Sequence, residues 1–158
     1  MSTDSNVANR STTRQALSTL LENEIVTATE KAAALHDHQI ADFEGVSPVV
    51  VVSSAGSHRS KLAFPVIANT RIYLDVHIFV AYTLMDDDDI VVFDEEDSEN
   101  RLDLLEKQIM DVLIDNNVVK GLWSSIELVG KTEIDVRSLG GVPFRHERIP
   151  LVLQSFSN

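Results

Sequence analysis

Between Arg71 and Tyr82 the chain alternates without a break. Ile72, Leu74, Val76, Ile78, Val80 and Tyr82 fall on one side, and Arg71, Tyr73, Asp75, His77 and Phe79 on the other. Successive side chains of a strand point to opposite faces, so this period of two predicts one long strand with an aliphatic face and a mixed face. The aliphatic face has to be covered, and the rest of the chain must supply the cover.

Two segments carry the spacing that can do so. Leu17, Leu20, Leu21, Ile25 and Ala28 recur three and four residues apart, a pattern that runs on through Ala32, Ala33 and Leu35 and dissolves near His36-Asp37-His38. Thr12 and Gln15 have capping-box spacing at its start. Leu102, Leu105, Ile109, Val112 and Leu113 form a second stripe, with a cap expected at Ser98 to Asn100 and a stop at Asn116-Asn117. The remaining signals are β. Val49 to Val52 are four β-branched residues in a row, suited to a strand covered on both faces, and Ser53 to Ser57 reads as its end. Pro65 makes Lys61 to Ala68 an edge strand or loop. Leu122 to Val129, Thr132 to Arg137 and Phe144 to Phe156 read as strands, with a turn at Leu139-Gly140-Gly141. At 158 residues, with no repeat and no internal linker, the expectation is a single α+β domain. It has a mainly antiparallel sheet with two helices packed on one face, spans residues 12–158, and follows a flexible tail over 1–11.

Composition narrows the function classes. There is no cysteine, which removes disulfides, zinc–thiolate sites and thiol nucleophiles, and fits a reducing compartment. No stretch approaches the roughly 20 apolar residues that span a bilayer, and the polar first ten residues read as neither signal peptide nor anchor. Thirteen basic against 25 acidic residues give a net charge of −12, which argues against gripping nucleic acid through phosphates.

The acids are unevenly placed. Residues 86–99 hold nine of the 25, within a loop expected over 85–99, and no basic residue. One reading is a solvated loop whose last acids sit at the positive end of the second helix. The other is a docking arm, Asp86, Asp87, Asp88, Asp89, Ile90, Val91, Val92 and Phe93, in which Ile90 to Phe93 add a strand or apolar anchor to a partner. Deleting 86–97 is expected to leave the fold intact but to impair assembly. The acids lack the alternation and central glycine of an EF-hand.

Catalytic patterns fail on spacing. His36, His38 and Asp42 form the one group resembling metal ligands, but no third ligand stands at a convincing interval, and a polar helix end explains them more cheaply. Ser54-Ala-Gly-Ser-His58 lacks the glycine two residues before its serine that a nucleophile elbow needs. Gly130-Lys-Thr132 has Ser125 where a phosphate-binding loop needs glycine. His77 reads as packed or interfacial. Arg137, Arg145 and Arg148 alternate with Glu133, Asp135 and Glu147 as paired strand surface. No cofactor and no catalytic residue is assigned.

The order helix, strands, acidic loop, helix, strands, at this length, resembles the tail terminator (tail completion) proteins of long-tailed bacteriophages of the lambda type. The resemblance is carried by the helix Thr12 to Ile25, Ser47 to Val52, Thr70 to Val80, Leu102 to Ile109, Trp123 to Leu128 and Gly141 to Leu153. The acidic run from Asp86 is longer than that pattern. The resemblance implies a non-enzymatic virion protein at the neck, assembled in the host cytoplasm. Such a protein forms a homo-hexameric ring that caps the tail tube, ends its polymerisation and offers a surface to the head–tail connector or stopper protein. DNA passes through the lumen without specific binding, and no membrane is involved. Three alternatives stay open: another head–tail joining ring, such as a stopper or adaptor; a small metal-dependent enzyme using His36, His38 and Asp42; and a monomeric acidic binding module.

Overall fold

The long alternating strand is the middle of the molecule. In the computed structural model, which describes residues 9–25, 32–61, 68–82, 84–85 and 91–157, the elements run α1 (Arg10–Ile25), β1 (Ala34–His36), β2 (Val49–Lys61), β3 (Ala68–Ala81), β4 (Leu84–Met85) and β5 (Val91–Phe93). They continue with α2 (Glu95–Asp115), β6 (Ser125–Leu128), β7 (Glu133–Leu139) and β8 (Val142–Ser157). A six-stranded sheet has the order β1-β2-β3-β8-β6, with β7 also on β8. β6 pairs with residues 151–154 of β8 and β7 with 142–148, so the two lie end to end along one edge. All pairs are antiparallel except β1 with β2. The α+β architecture with a mainly antiparallel sheet is therefore as the periodicity predicts.

Ile72, Leu74, Val76, Ile78 and Val80 are at most 1% exposed and meet Val50 and Val52 of β2 and Ile149, Leu151 and Leu153 of β8 on one face of the sheet. Leu17, Leu21 and Ile25 of α1 and Leu102, Leu105, Ile109 and Leu113 of α2 cover that face. Each such side chain contributes about 1.5–3 kcal/mol through burial. The opposite face is covered too. Residues 37–48 bring Phe43 edge-on against Phe79 (4.9 Å) and Phe144 (5.4 Å), over Val49 and Val51. The four valines thus serve two cores, as a strand covered on both faces requires.

Several expected boundaries are corrected. α1 starts at Arg10, inside the expected tail, because the Asn9 side chain accepts from the backbone N–H groups of Ser11 (2.8 Å) and Thr12 (3.2 Å). That makes Asn9, not Thr12, the cap. The described part of α1 ends at Ile25. Ala28 lies outside the described residues, and Ala34 to His36 form β1 beside β2, because pairing with the sheet overrides the local helical spacing. β2 does not end at Ser53. It runs to Lys61 through a bulge between Ser54 and Gly56, where Gly56 takes φ +131°. Residues 62–67 of the ambiguous segment lie outside the described residues. The turn before β8 is a two-residue loop, Gly140-Gly141, with φ +57° and +78°. At Gly140 even a Cβ would lie 2.6 Å from the Asp42 carboxylate.

The acidic stretch is divided rather than one loop over 85–99. Val91–Phe93 pair with Leu84–Met85 of the same chain as a small two-stranded sheet. Asp86, Asp87, Asp88, Asp89 and Ile90 lie outside the described residues. Asp94, not Ser98 to Asn100, caps α2: its side chain accepts from the Asp97 N–H (2.9 Å) while the Asp97 carboxylate accepts from the Asp94 N–H (3.0 Å). Glu95, Glu96 and Asp97 occupy the first turn, where the helix dipole favours them. Deleting 86–97 would remove β5, this cap and the first turn, so the expectation of a neutral deletion is withdrawn for residues 91–97.

Leu74→Ala is expected to cost about 2–5 kcal/mol, and Asp94→Ala about 1 kcal/mol. Urea denaturation of each variant checks both. Equal costs would contradict a β3-centred core.

Candidate functional site

The mixed face of β3 carries an arrangement that no motif in the sequence announces. Register sets Asp135 of β7 opposite His146 of β8, and places His77 of β3 diagonal to both His146 and Ser53 of β2, so the four side chains form an oblique row across four strands. Ser53 Oγ lies 3.2 Å from His77 Nε2, His77 Nδ1 lies 2.8 Å from His146 Nε2, and His146 Nδ1 lies 2.7 Å from Asp135 Oδ1. Both imidazoles are at most 5% exposed. Read from the carboxylate, the directions follow. Asp135 accepts from His146 Nδ1–H, which leaves His146 Nε2 to accept from His77 Nδ1–H and His77 Nε2 to accept the Ser53 hydroxyl proton. Every nitrogen then has a partner with both rings neutral.

The electrostatics agree. Burial, and then the neighbouring His146, pushes His77 down to about 4 from 6.5. His146 is lowered as well, mainly by burial, with Asp135 pulling the other way. Partial burial works against the Asp135 carboxylate, but its hydrogen bond with His146 and the charges of His146 and Arg137 hold it below the usual range. Around the row, Arg148 bridges Asp75 (3.1 Å) and Glu133 (3.5 Å), and Arg137 faces Asp135 (3.6 Å). These pairs bear out the reading of interleaved charge as paired strand surface. Arg145 differs, meeting Glu99 of α2 at 2.7 Å.

Hydroxyl, imidazole, imidazole and carboxylate in sequence could pass a proton from Ser53 toward Asp135. The adjoining cavity, lined by Gln39, Ile40, Phe43, His77, Arg137 and Leu139 among others, measures about 60 Å³. That is room for water, not for an acyl substrate. What the row does in the fold is tie four strands together by side chains, with no buried nitrogen of the pair left unsatisfied.

The other candidates fall elsewhere. His36 ends β1 and stacks against Phe43 at 6.4 Å, so it does not lie at a helix end. His38 is exposed and holds Asp37 (2.7 Å), while Asp42 accepts from the Glu44 N–H (2.8 Å) to close a turn. Among the described residues no three His, Cys, Asp or Glu side chains are grouped to hold a metal ion. Also among them, no helix is long and apolar enough to cross a membrane. Of the expected docking arm, Val91 to Phe93 are strand β5, and Asp86 to Ile90 lie outside the described residues.

The sheet has two unlike flanks. On one, β1 covers only Val49–Val51, so residues 52–61 of β2 have no strand partner beyond β3 among the described residues. On the other, β6 and β7 pair only with β8 among the described residues. There Ile134 is 48% exposed and Val136 54%, both turned to the helix side of the sheet. In comparisons with known proteins, no family model matches the chain and no curated sequence matches it.

The histidine pair sets a pH dependence. Unfolded, His77 takes its proton near 6.5; folded, near 4. Between these values the unfolded chain holds more protons, so stability falls as pH falls, by about 3 kcal/mol for His77 over the whole window. His146 adds in the same direction. Glu106 and Glu147, whose carboxyls are raised by burial and by neighbouring acids, oppose it. Comparison with His77→Gln cancels that opposition. The wild-type melting temperature is expected to drop more steeply than the variant's below pH 6.5, and parallel curves would contradict a neutral buried imidazole.

Proposed function

We propose that this chain is a structural virion protein that caps the head-proximal end of a phage tail tube. It does so as a homo-hexameric ring that ends tube polymerisation and receives the head–tail connector. The observation that carries this reading is the pair of unlike open flanks on a single sheet. One flank is a strand stretch that has lost its neighbour after Val51, and the other is an edge with exposed β-branched side chains. Exposed edges of this kind are templates for pairing and in native proteins are covered. Two different flanks on opposite sides of one subunit favour head-to-tail contacts, and such contacts close into rings when the rotation fits.

Further support comes from the element order, which resembles tail terminators over nearly the whole chain after residue 11, and from charge. A ring through which DNA slides is served by a subunit of net charge −12, since a basic lining would hold the phosphates. The β4–β5 pair, between whose strands the sequence carries Asp86 to Asp89 and Ile90, is assigned to the tube or connector.

Purified protein mixed with cognate tail tubes and viewed by negative-stain electron microscopy is expected to add density at one end only, with sixfold features in end-on views. Density along the tube wall, or none, would contradict termination. Tubes grown without the chain are expected to be of abnormal length. Normal tails on leaking heads would point instead to a stopper.

A further inference from the structure

The hydrogen-bond directions in the buried row define how many protons it can hold. With both rings neutral, Asp135 accepts from His146 Nδ1–H, His146 Nε2 accepts from His77 Nδ1–H, and His77 Nε2 accepts from the Ser53 hydroxyl. Every strand around the rings adds to their electrostatic setting. Asp135 and Arg137 come from β7 and Asp75 from β3, while Arg148 of β8 pairs with Asp75 and with Glu133 of β7. β2 brings Ser53 and Val51, and residues 37–48 bring Gln39, Ile40 and Phe43, none of them ionisable. His36 of β1 reaches this layer by stacking on Phe43. Three carboxylates and two guanidiniums therefore leave one negative charge around the rings.

One proton can enter without an uncompensated charge and without the loss of a hydrogen bond. Bound at His77 Nε2, it turns that nitrogen from acceptor to donor toward Ser53 Oγ. His77 passes its Nδ1 proton to His146 Nε2 and stays neutral as the other tautomer. His146 becomes an imidazolium that donates at both ends, to His77 Nδ1 and to the Asp135 carboxylate at 2.7 Å. The electrostatics agree with this placement, since Asp135 raises His146 while His146 lowers His77. The water-sized cavity beside His77 gives the proton its way in.

A second proton has no such place. With both rings charged, His77 Nδ1–H and His146 Nε2–H face each other across 2.8 Å, two donors and two like charges in a site at most 5% exposed. That bond must open, and β7 yields most easily because six of its seven residues are exposed.

We propose that the Ser53–His77–His146–Asp135 row is a proton-operated latch on β7. It stores one proton by reversing the tautomer of His77 and keeps the edge closed; a second proton separates the rings and releases β7. The first proton also acts across the sheet. Ser53 changes from donor to acceptor, so its hydroxyl proton is freed just past Val51, where β2 loses its neighbour β1.

Two-bond proton–nitrogen spectra of the imidazoles of the full chain, from about pH 8 to about pH 4, span the usual histidine titration and read charge and tautomer of each ring. At the upper end both rings are expected to be neutral with the proton on Nδ1. On acidification His146 is expected to become charged first, while His77 stays neutral and moves its proton to Nε2. His77 charging first, or keeping its Nδ1 proton as His146 charges, overturns the proposal. Asp135→Asn keeps an acceptor and removes the charge, so the proton affinity of His146 is expected to fall at least about tenfold. An unchanged midpoint in that variant overturns the proposal as well. Amide exchange across the same pH range separates a latch from global unfolding. The β7 amides that pair with β8 are expected to stay protected through the first proton and to open with the second, ahead of β3. Loss of protection in β7 and β3 together, in one step, contradicts the latch.

Discussion

Everything in this molecule is arranged around the need to bury one aliphatic strand face. Ile72, Leu74, Val76, Ile78 and Val80 present a row of five side chains, and leaving that face in water would forfeit about 1.5–3 kcal/mol for each. Covering it takes both helices, which is why α1 and α2 lie on the same side although three of the sheet's six strands separate them in sequence. It also fixes register. A slip of one residue would turn every one of these side chains outward and would carry His77 into the core.

That register builds the buried row on the other face. His77 and His146 are 69 residues apart and meet because Phe79 pairs with His146 across β3 and β8. Two neutral imidazoles between a hydroxyl and a carboxylate leave each nitrogen satisfied, the condition under which a buried polar network adds to the fold instead of costing it. The row also holds β7, an edge strand with few apolar contacts of its own, to the sheet through Asp135. The edge that the ring reading offers to a partner is thus fixed from beneath.

What could be read from the sequence follows the range of the interactions involved. The β3 alternation, the α2 stripe and the four valines are local patterns, and they appear in the structure with the faces they imply. The cap of α2 was legible in principle, since Asp94 and Asp97 stand at capping-box spacing. They were hidden by the density of acids around them. β1 was not legible: Ala34 to His36 prolong a helical spacing, and only the unpaired edge of β2 makes them a strand. The histidine row had no local signal, because its order exists only once four strands are in register.

The proposed ring requires each subunit to bury both flanks of its sheet against its neighbours. Amide hydrogen exchange measured on the free chain and on the chain bound to tail tubes tests this most directly. The account predicts new protection in β6, β7 and residues 52–61 of β2 together, with the β3 core unchanged. Protection confined to the β4–β5 hairpin, with both flanks exchanging as in the free chain, would contradict it.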